Sequence, residues 1–329
     1  MTTAPLRRRL AAALPVAGLL ALAACSNAAD LPAETTASQG EGALRPLTVA
    51  VLPIGDLGAY FYAEANGIFE EHGLDVTTEF AAGGSAAIAA MAAGDYDIVY
   101  SGADGVIKAY ANDIPVQIIS GANNNQPENQ ADATGLVVAA GITEVGALQG
   151  GALGTNALGN INQVYAQEFL AKNGVTDVEV VEIPFPEQVA ALEAGQIQAT
   201  LLPEPFASQA VAGGASILGF PYRIGQDETT AVGVYVSTDT FIEENPEAID
   251  VFVGAMAEAS EAANDPANRD AVVAAILSNT QLSQDVATGL TFVQFTTEVT
   301  AERIQATADL LVKYGVLTEK VDASGIIAK

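Results

Sequence analysis

The chain has 329 residues, with 40 acidic side chains against 12 basic ones and a formal charge of −28. Binding to nucleic acid needs clustered Lys and Arg, so this charge balance argues against a nucleic-acid partner. A single Cys permits no internal disulfide, and a single His with no second thiol supplies no soft-metal site of the usual kind.

Residues 1–25 read as a targeting segment. Arg7-Arg8-Arg9 is a basic start, and Leu10–Ala24 is an apolar run of 15 residues. A spanning helix needs about 20 apolar residues, so the run fits a signal peptide instead. It ends in Leu22-Ala23-Ala24-Cys25, which resembles the bacterial lipobox, where the Cys becomes the lipidated first residue. The alternative is an ordinary secretory signal that happens to contain a Cys. Residues 26–45 are small, polar and acidic, and they read as a flexible tether.

The body then alternates strand and helix. Leu47–Leu52 is the first expected strand, with the loop Pro53–Gly58 after it and a helix over Ala59–Asn66. Leu74–Phe80 is the second strand, and Gly83-Gly84-Ser85 is a small-residue loop with Ser85 as N-cap of helix Ala86–Ala93. Strand Tyr96–Tyr100, loop Ser101–Asp104 and helix Val106–Ala111 follow. Val116–Ser120 is a fourth strand, and Gly121–Asp132 reads as a long polar loop. A second series begins with strands Gly135–Ala140 and Ala152–Gly154, then the loop to Asn160 and helix Ile161–Lys172. Strand Val178–Ile183 leads to helix Glu187–Ala194, strand Gln198–Leu202 and a tight Pro203-Glu204-Pro205-Phe206 turn. Ala215–Phe220 and Val232–Val236 are further strands, and the remainder is mainly helical.

One segment occurs twice. Ala89–Ile98 aligns with Ala190–Ala199 at a spacing of 101 residues, matching helix end, Gly94 or Gly195, and strand start. The duplication predicts two similar α/β lobes, residues 46–133 with 237–329 and residues 134–236. Right-handed crossovers predict mostly parallel sheets flanked by helices. Ligands of open α/β sheets bind beyond strand C-terminal ends, so six loops are expected to face one cleft. These are Pro53–Gly58, Gly83–Ser85, Ser101–Asp104, Gly154–Asn160, Pro184–Pro186 and Pro203–Phe206. Gly135–Ala140 and Val232–Val236 are the expected crossings between lobes.

Five segments in order resemble a known family: Tyr62–Val76, Gly94-Asp95-Tyr96-Asp97-Ile98, Leu148–Gly154, Pro184–Phe206 and Tyr314–Leu317. Together they resemble the solute-binding lipoproteins of ABC importers, in the nitrate/sulfonate/taurine and thiamine-precursor group. The resemblance implies a two-lobed type II periplasmic-binding-protein fold with a ligand cleft between the lobes. It also implies a protein held outside the membrane by a lipid on Cys25, monomeric, without a cofactor, and serving a permease with its ATPase. The expected ligand is a small molecule, nitrate-, sulfonate- or taurine-like or pyrimidine-like.

The candidate ligand-binding residues are Ile54, Gly55, Asp56, Gly84, Ser85, Ser101, Gly102, Asn123, Thr155, Asn156, Asn160, Phe185, Glu204, Phe206 and Tyr235. Gly84-Ser85 and Thr155-Asn156 open helices whose N–H groups suit an anion, or they only cap those helices. Asn123 supplies amide groups, or is part of a plain polar loop. Glu204 is a cleft carboxylate for a ligand amine, or a structural carboxylate bound to hinge amides. Phe185, Phe206 and Tyr235 stack on a planar ligand, or pack in the core. Lys108 and Arg223 are the basic residues near these loops, and His72 reads as a surface residue at a helix end.

No catalytic motif is present, and no metal site or enzyme activity is expected. Two other readings remain: an extracellular sensor without transport, and an enzyme of the pyrimidine-synthase branch. The latter would need a reactive Lys and His at the cleft.

Overall fold

The computed structural model describes residues 44–126, 132–224, 230–280 and 289–329. Cys25 and the rest of the targeting segment, like the expected tether to residue 43, lie outside them.

β-Branched and aliphatic runs form the strands. The first sheet contains β1 (Arg45–Val51), β2 (Leu74–Phe80), β3 (Ile98–Gly102) and β4 (Val116–Asn124). The second contains β5 (Gly135–Val138), β6 (Ala152–Thr155), β7 (Glu179–Glu182), β8 (Ala199–Leu202) and β9 (Ser216–Gly219). The chain then returns to the first sheet as β10 (Ala231–Thr238) and β11 (Gln294–Phe295). Strand orders are β11-β4-β10-β3-β1-β2 and β7-β6-β8-β5-β9.

Both sheets are mixed, which corrects the expectation of mostly parallel ones. β1 runs parallel to β2 and β3, and β6 runs parallel to β7 and β8. β10 is antiparallel to β3 and β4, and β5 is antiparallel to β8 and β9. The parallel rule holds where a helix carries the chain from one strand to the next. β5 and β10 enter from the other sheet, so that rule does not bind them.

β4 is longer than its sequence indicated. It continues through Asn124, paired with β10 from Val116–Thr238 to Asn124–Ala231. Register shifts along that pairing accommodate Gly121 and the asparagines.

Helices pack on both sheets: α1 (Gly58–Ala65), α2 (Ile68–Glu71), α3 (Gly84–Ala92), α4 (Ala103–Ala111), α5 (Ile161–Lys172) and α6 (Phe185–Glu193). They continue as α7 (Phe206–Ala212), α8 (Asp239–Glu244), α9 (Pro246–Asn264), α10 (Arg269–Asn279) and α11 (Ala301–Lys313). None is long and apolar enough to cross a membrane.

The internal duplication is visible in the backbone. α3 and α6 end on Gly94 and Gly195, at φ +94° and +69°. Each donates its N–H three residues back, to Met91 or Leu192, at 2.9 and 3.1 Å. Only Gly adopts that conformation without steric cost, which is why both copies carry it.

One apolar core runs beneath Val99, Ile107, Leu153, Tyr165, Leu201 and Ile304 and so joins the two sheets. A second packs Tyr60, Phe61, Phe69, Tyr235 and Phe252 under α1 and α9. A third, around Val189, Leu192 and Leu202, supports α6 and α7. α5 is tied to α11 by a Tyr165–Thr307 hydroxyl pair at 3.1 Å. Tyr314 and Lys313 also both donate to Glu168, Tyr314 at 2.8 Å.

Candidate functional site

A cavity of about 600 Å³ opens between the two sheets. Its walls come from the segments following six strand ends. β1 supplies Leu52–Ile54 and Asp56, β2 supplies Ala81–Ala86, and β3 supplies Ser101, Gly102 and Asp104. β6 supplies Asn156, Ala157 and Asn160, β7 supplies Glu182 and Pro184–Pro186, and β8 supplies Pro203 and Phe206. Tyr100, Thr134, Ile161, Asn162, Tyr222 and Val232 complete the lining.

Ten of the fifteen sequence candidates meet there: Ile54, Asp56, Gly84, Ser85, Ser101, Gly102, Asn156, Asn160, Phe185 and Phe206. Gly55, Asn123, Thr155, Glu204 and Tyr235 do not line it. Gly55 and Asn123 stand directly behind it. The Gly55 N–H donates to the Glu204 carbonyl at 2.8 Å, and Asn123 Nδ2 donates to the Asp56 carbonyl at 3.0 Å. Both contacts fix the 3-10 turn Gly55–Leu57 that carries Asp56. Tyr235 is buried in the second core, within 6.1 Å of Tyr100 and 5.1 Å of Phe252 between ring centroids.

Glu204 is turned away from the cavity. Its carboxylate accepts from Ser208 N at 3.1 Å, Ser208 Oγ at 2.7 Å and Thr291 N at 3.3 Å. The alternative role, a structural carboxylate on nearby amides, fits this geometry. Burial raises its pKa, and these hydrogen bonds oppose the rise.

The helix caps differ from expectation in two places. Ser85 is not the N-cap of α3. Gly83 is, in extended backbone and with no side-chain cap. Gly84 lets α3 start against β3, because a Cβ there would lie 2.8 Å from Ser101 Cα and collide with its hydroxyl. At α5 neither Thr155 nor Asn156 caps. Asn160 does, its Oδ1 accepting from Gln163 N at 2.9 Å and from Thr155 Oγ1 at 2.9 Å. Asn160 Nδ2 donates to Asn156 Oδ1 at 2.6 Å, and Asn162 Nδ2 donates to the same oxygen at 3.3 Å. Tyr222 donates to Asn162 Oδ1. One wall is therefore a connected polar network.

Phe185 and Phe206, also in the lining, stack on each other, with centroids 5.8 Å apart and planes at 18°. Two half-buried rings side by side offer a flat apolar surface to a planar solute.

The electrostatics are acidic. Burial pushes Asp56 up to about 7, and the charges of Asp132 and Glu204 add to the rise. Burial also lifts Asp132 to about 6, opposed by Arg223. Tyr100 and Tyr222 are raised well above the usual phenol value by burial and so remain donors. Neither basic candidate lines the cavity. Lys108 pairs with Asp104 at 2.9 Å and donates to the Gly159 carbonyl at 3.0 Å. Arg223 pairs with Asp132 at 3.4 Å and lies over the Phe220 ring. His72 pairs with Glu258 at 2.8 Å, remote from the cavity lining. Among the described residues, no group of three or more His, Cys, Asp or Glu is placed to hold a metal ion.

Sequence reasoning missed Tyr100, Asp104, Thr134, Asn162, Glu182 and Tyr222. Asp104 carried a usable signal, a carboxylate in the first turn after a strand end. Tyr222 and Thr134 carried none, since they reach the cavity from connections between the sheets.

A family model described as the NMT1-like family matches residues 40–278. No curated protein matches the chain. The alkanesulfonate-binding protein SsuA from Xanthomonas axonopodis pv. citri, solved with MOPS, is 17% identical with a TM-score of 0.72, covering 87% of this chain and 99% of that one. The periplasmic aliphatic sulphonate-binding protein SsuA from Escherichia coli is 20% identical with a TM-score of 0.70, covering 86% and 97%. The periplasmic nitrate-binding protein NrtA from Synechocystis PCC 6803 is 14% identical with a TM-score of 0.70, covering 86% and 85%. These likenesses show that the chain has the periplasmic-binding-protein fold.

Proposed function

The chain belongs to the NMT1-like family, and from that premise we propose that it is an extracytoplasmic solute-binding protein of an ABC importer. It captures a small molecule between two lobes, one built on each sheet, and delivers it to a permease driven by its ATPase. The observation that carries this reading is the 600 Å³ cavity walled by strand-end loops of both sheets. A solute seated there touches both lobes at once, so binding favours their closure about the crossings. Cys25 is the proposed lipid anchor, which holds the body on the outer face of the membrane. The similar structures are named as binding proteins, and capture and release require no covalent step.

The test is native mass spectrometry of the full-length protein after equilibration with the low-molecular-weight fraction of a cell extract. A 1:1 adduct accompanied by a thermal shift supports the reading. A ligand at 100 Kd adds about 2.7 kcal/mol to stability. A folded protein that captures nothing from that fraction overturns it.

A further inference from the structure

Within the cavity wall two buried polar atoms go unanswered among the described residues, the Thr134 hydroxyl and one oxygen of Asp56, and only the second belongs to a group that can carry charge. Asp56 is 4% exposed and lines the cavity, and its Oδ1 has no hydrogen-bond partner among the described residues. The other lining carboxylates are occupied. Asp104 is paired with Lys108 at 2.9 Å, and Glu182 accepts from Leu158 N at 2.9 Å. No lysine or arginine is among the lining residues. Buried polar atoms in native proteins are hydrogen-bonded, and an exception calls for an explanation. At a solute cavity the simplest one is that the solute supplies the missing donor.

Granted the solute-binding reading above, we propose that Asp56 selects the solute, which presents to Oδ1 a cationic, hydrogen-bond-donating nitrogen on a flat apolar body lying over Phe185 and Phe206. An amidinium or protonated amino-heterocycle has this chemistry. A simple oxyanion does not once Asp56 is ionised, because it would meet that carboxylate with no cation to offset it. The helix ends around the cavity do not reverse this balance. α4 carries Asp104 in its first turn, and the α5 end is closed by its Asn160 cap. The open end of α3 offers about half a positive charge, against a full negative charge on an ionised Asp56. That end suits an acceptor elsewhere on the same solute.

Three probes share one ring and differ in the head group: benzamidine, benzamide and benzenesulfonate. Titration calorimetry on the full-length protein should give benzamidine at least tenfold tighter than either of the others. Asp56→Asn should cost benzamidine at least tenfold and change benzamide less than threefold. Benzenesulfonate binding tighter than benzamidine overturns the proposal, as does a folded Asp56→Asn protein that keeps benzamidine affinity within twofold. Should Asp56→Asn not fold, the ranking of the three head groups on the unaltered protein decides alone. Absence of benzamidine binding together with an extract-derived adduct refutes the solute class and leaves the solute-binding reading standing. Absence of both refutes the two together.

Discussion

The N–H of Gly55, after β1 of the first sheet, donates to the carbonyl of Glu204, after β8 of the second, at 2.8 Å. This bond joins the two sheets at the back of the cavity, one residue from Asp56. A side chain on Gly55 would press on it, since a Cβ there would lie 3.1 Å from that carbonyl oxygen. The Glu204 carboxylate reinforces the junction through Ser208 and Thr291 and does not reach the solute space.

Glu204→Gln should therefore act on stability and not on affinity. The amide keeps the shape but turns a donor toward groups that now donate. The expected cost is about 1–2 kcal/mol, seen as a lower thermal midpoint. Benzamidine affinity should stay within about threefold of the unaltered protein. A loss of affinity beyond tenfold with unchanged stability would restore Glu204 as a ligand contact.

Lys108→Met should move stability and affinity in opposite directions. The substitution strands Asp104, which is buried, and removes the donor to Gly159. Breaking a partly buried pair of this kind costs about 2–3 kcal/mol. It also frees a second carboxylate on the cavity wall, so benzamidine should bind several-fold tighter. Chemical denaturation and calorimetry on one preparation check both signs.

How far the sequence discloses this site depends on the reach of each interaction. The six loops were legible because a strand–helix alternation locates strand ends, and in α/β sheets those ends face the cleft. Asp56, Ser101, Asn160 and Phe185 follow from that rule alone. Asn123 did not, since a run of asparagines reads as loop when it actually finishes β4, held by β10 and β11. Glu204 could be placed on the correct turn but not oriented. Its orientation is set by Ser208, one turn into the next helix, and by Thr291, 87 residues away. Helix starts shifted by two residues, from Ala86 to Gly84 and from Glu187 to Phe185, because the backbone at Gly83 and Pro184 admits an earlier first turn. Lys108 is half a surface residue in sequence, and its Asp104 partner lies one helical turn away. The Gly159 contact that fixes it crosses to the other sheet.

Gly84→Ala should damage both fold and site. The new methyl would meet Ser101 at its Cα and hydroxyl, and β3 is buried and cannot retreat. Overpacking of that kind costs about 1–3 kcal/mol. The start of α3 must then shift into the cavity, so affinity for every ring probe should fall together. A selective loss of benzamidine alone would contradict this steric account.

The pH dependence follows from three carboxylates. Asp56 is raised to about 7 and Asp132 to about 6, both by burial first, and Glu204 is raised in the same direction. A carboxyl that holds its proton more tightly when folded gives the folded state the larger proton count between its unfolded and folded values. Stability rises with pH only where the unfolded chain binds more protons, so here it falls as pH climbs from about 4 to about 7. Glu168 works in the opposite sense. Burial favours its neutral form, but Lys313 and Tyr314 overcome that and lower its pKa, so its contribution is lost only in more acidic solution. The thermal midpoint of the free protein should thus decline between pH 5 and 7, and Asp56→Asn should flatten that decline and raise the midpoint at pH 7. Benzamidine stays cationic across this range and requires ionised Asp56. Its affinity should rise with pH up to about 7, approaching tenfold per unit at the acidic end, and then level off. Each binding event below pH 7 should release a proton, measured as a calorimetric enthalpy that changes with the ionisation enthalpy of the buffer. An affinity flat from pH 5 to 8 would show that Asp56 does not carry the contact.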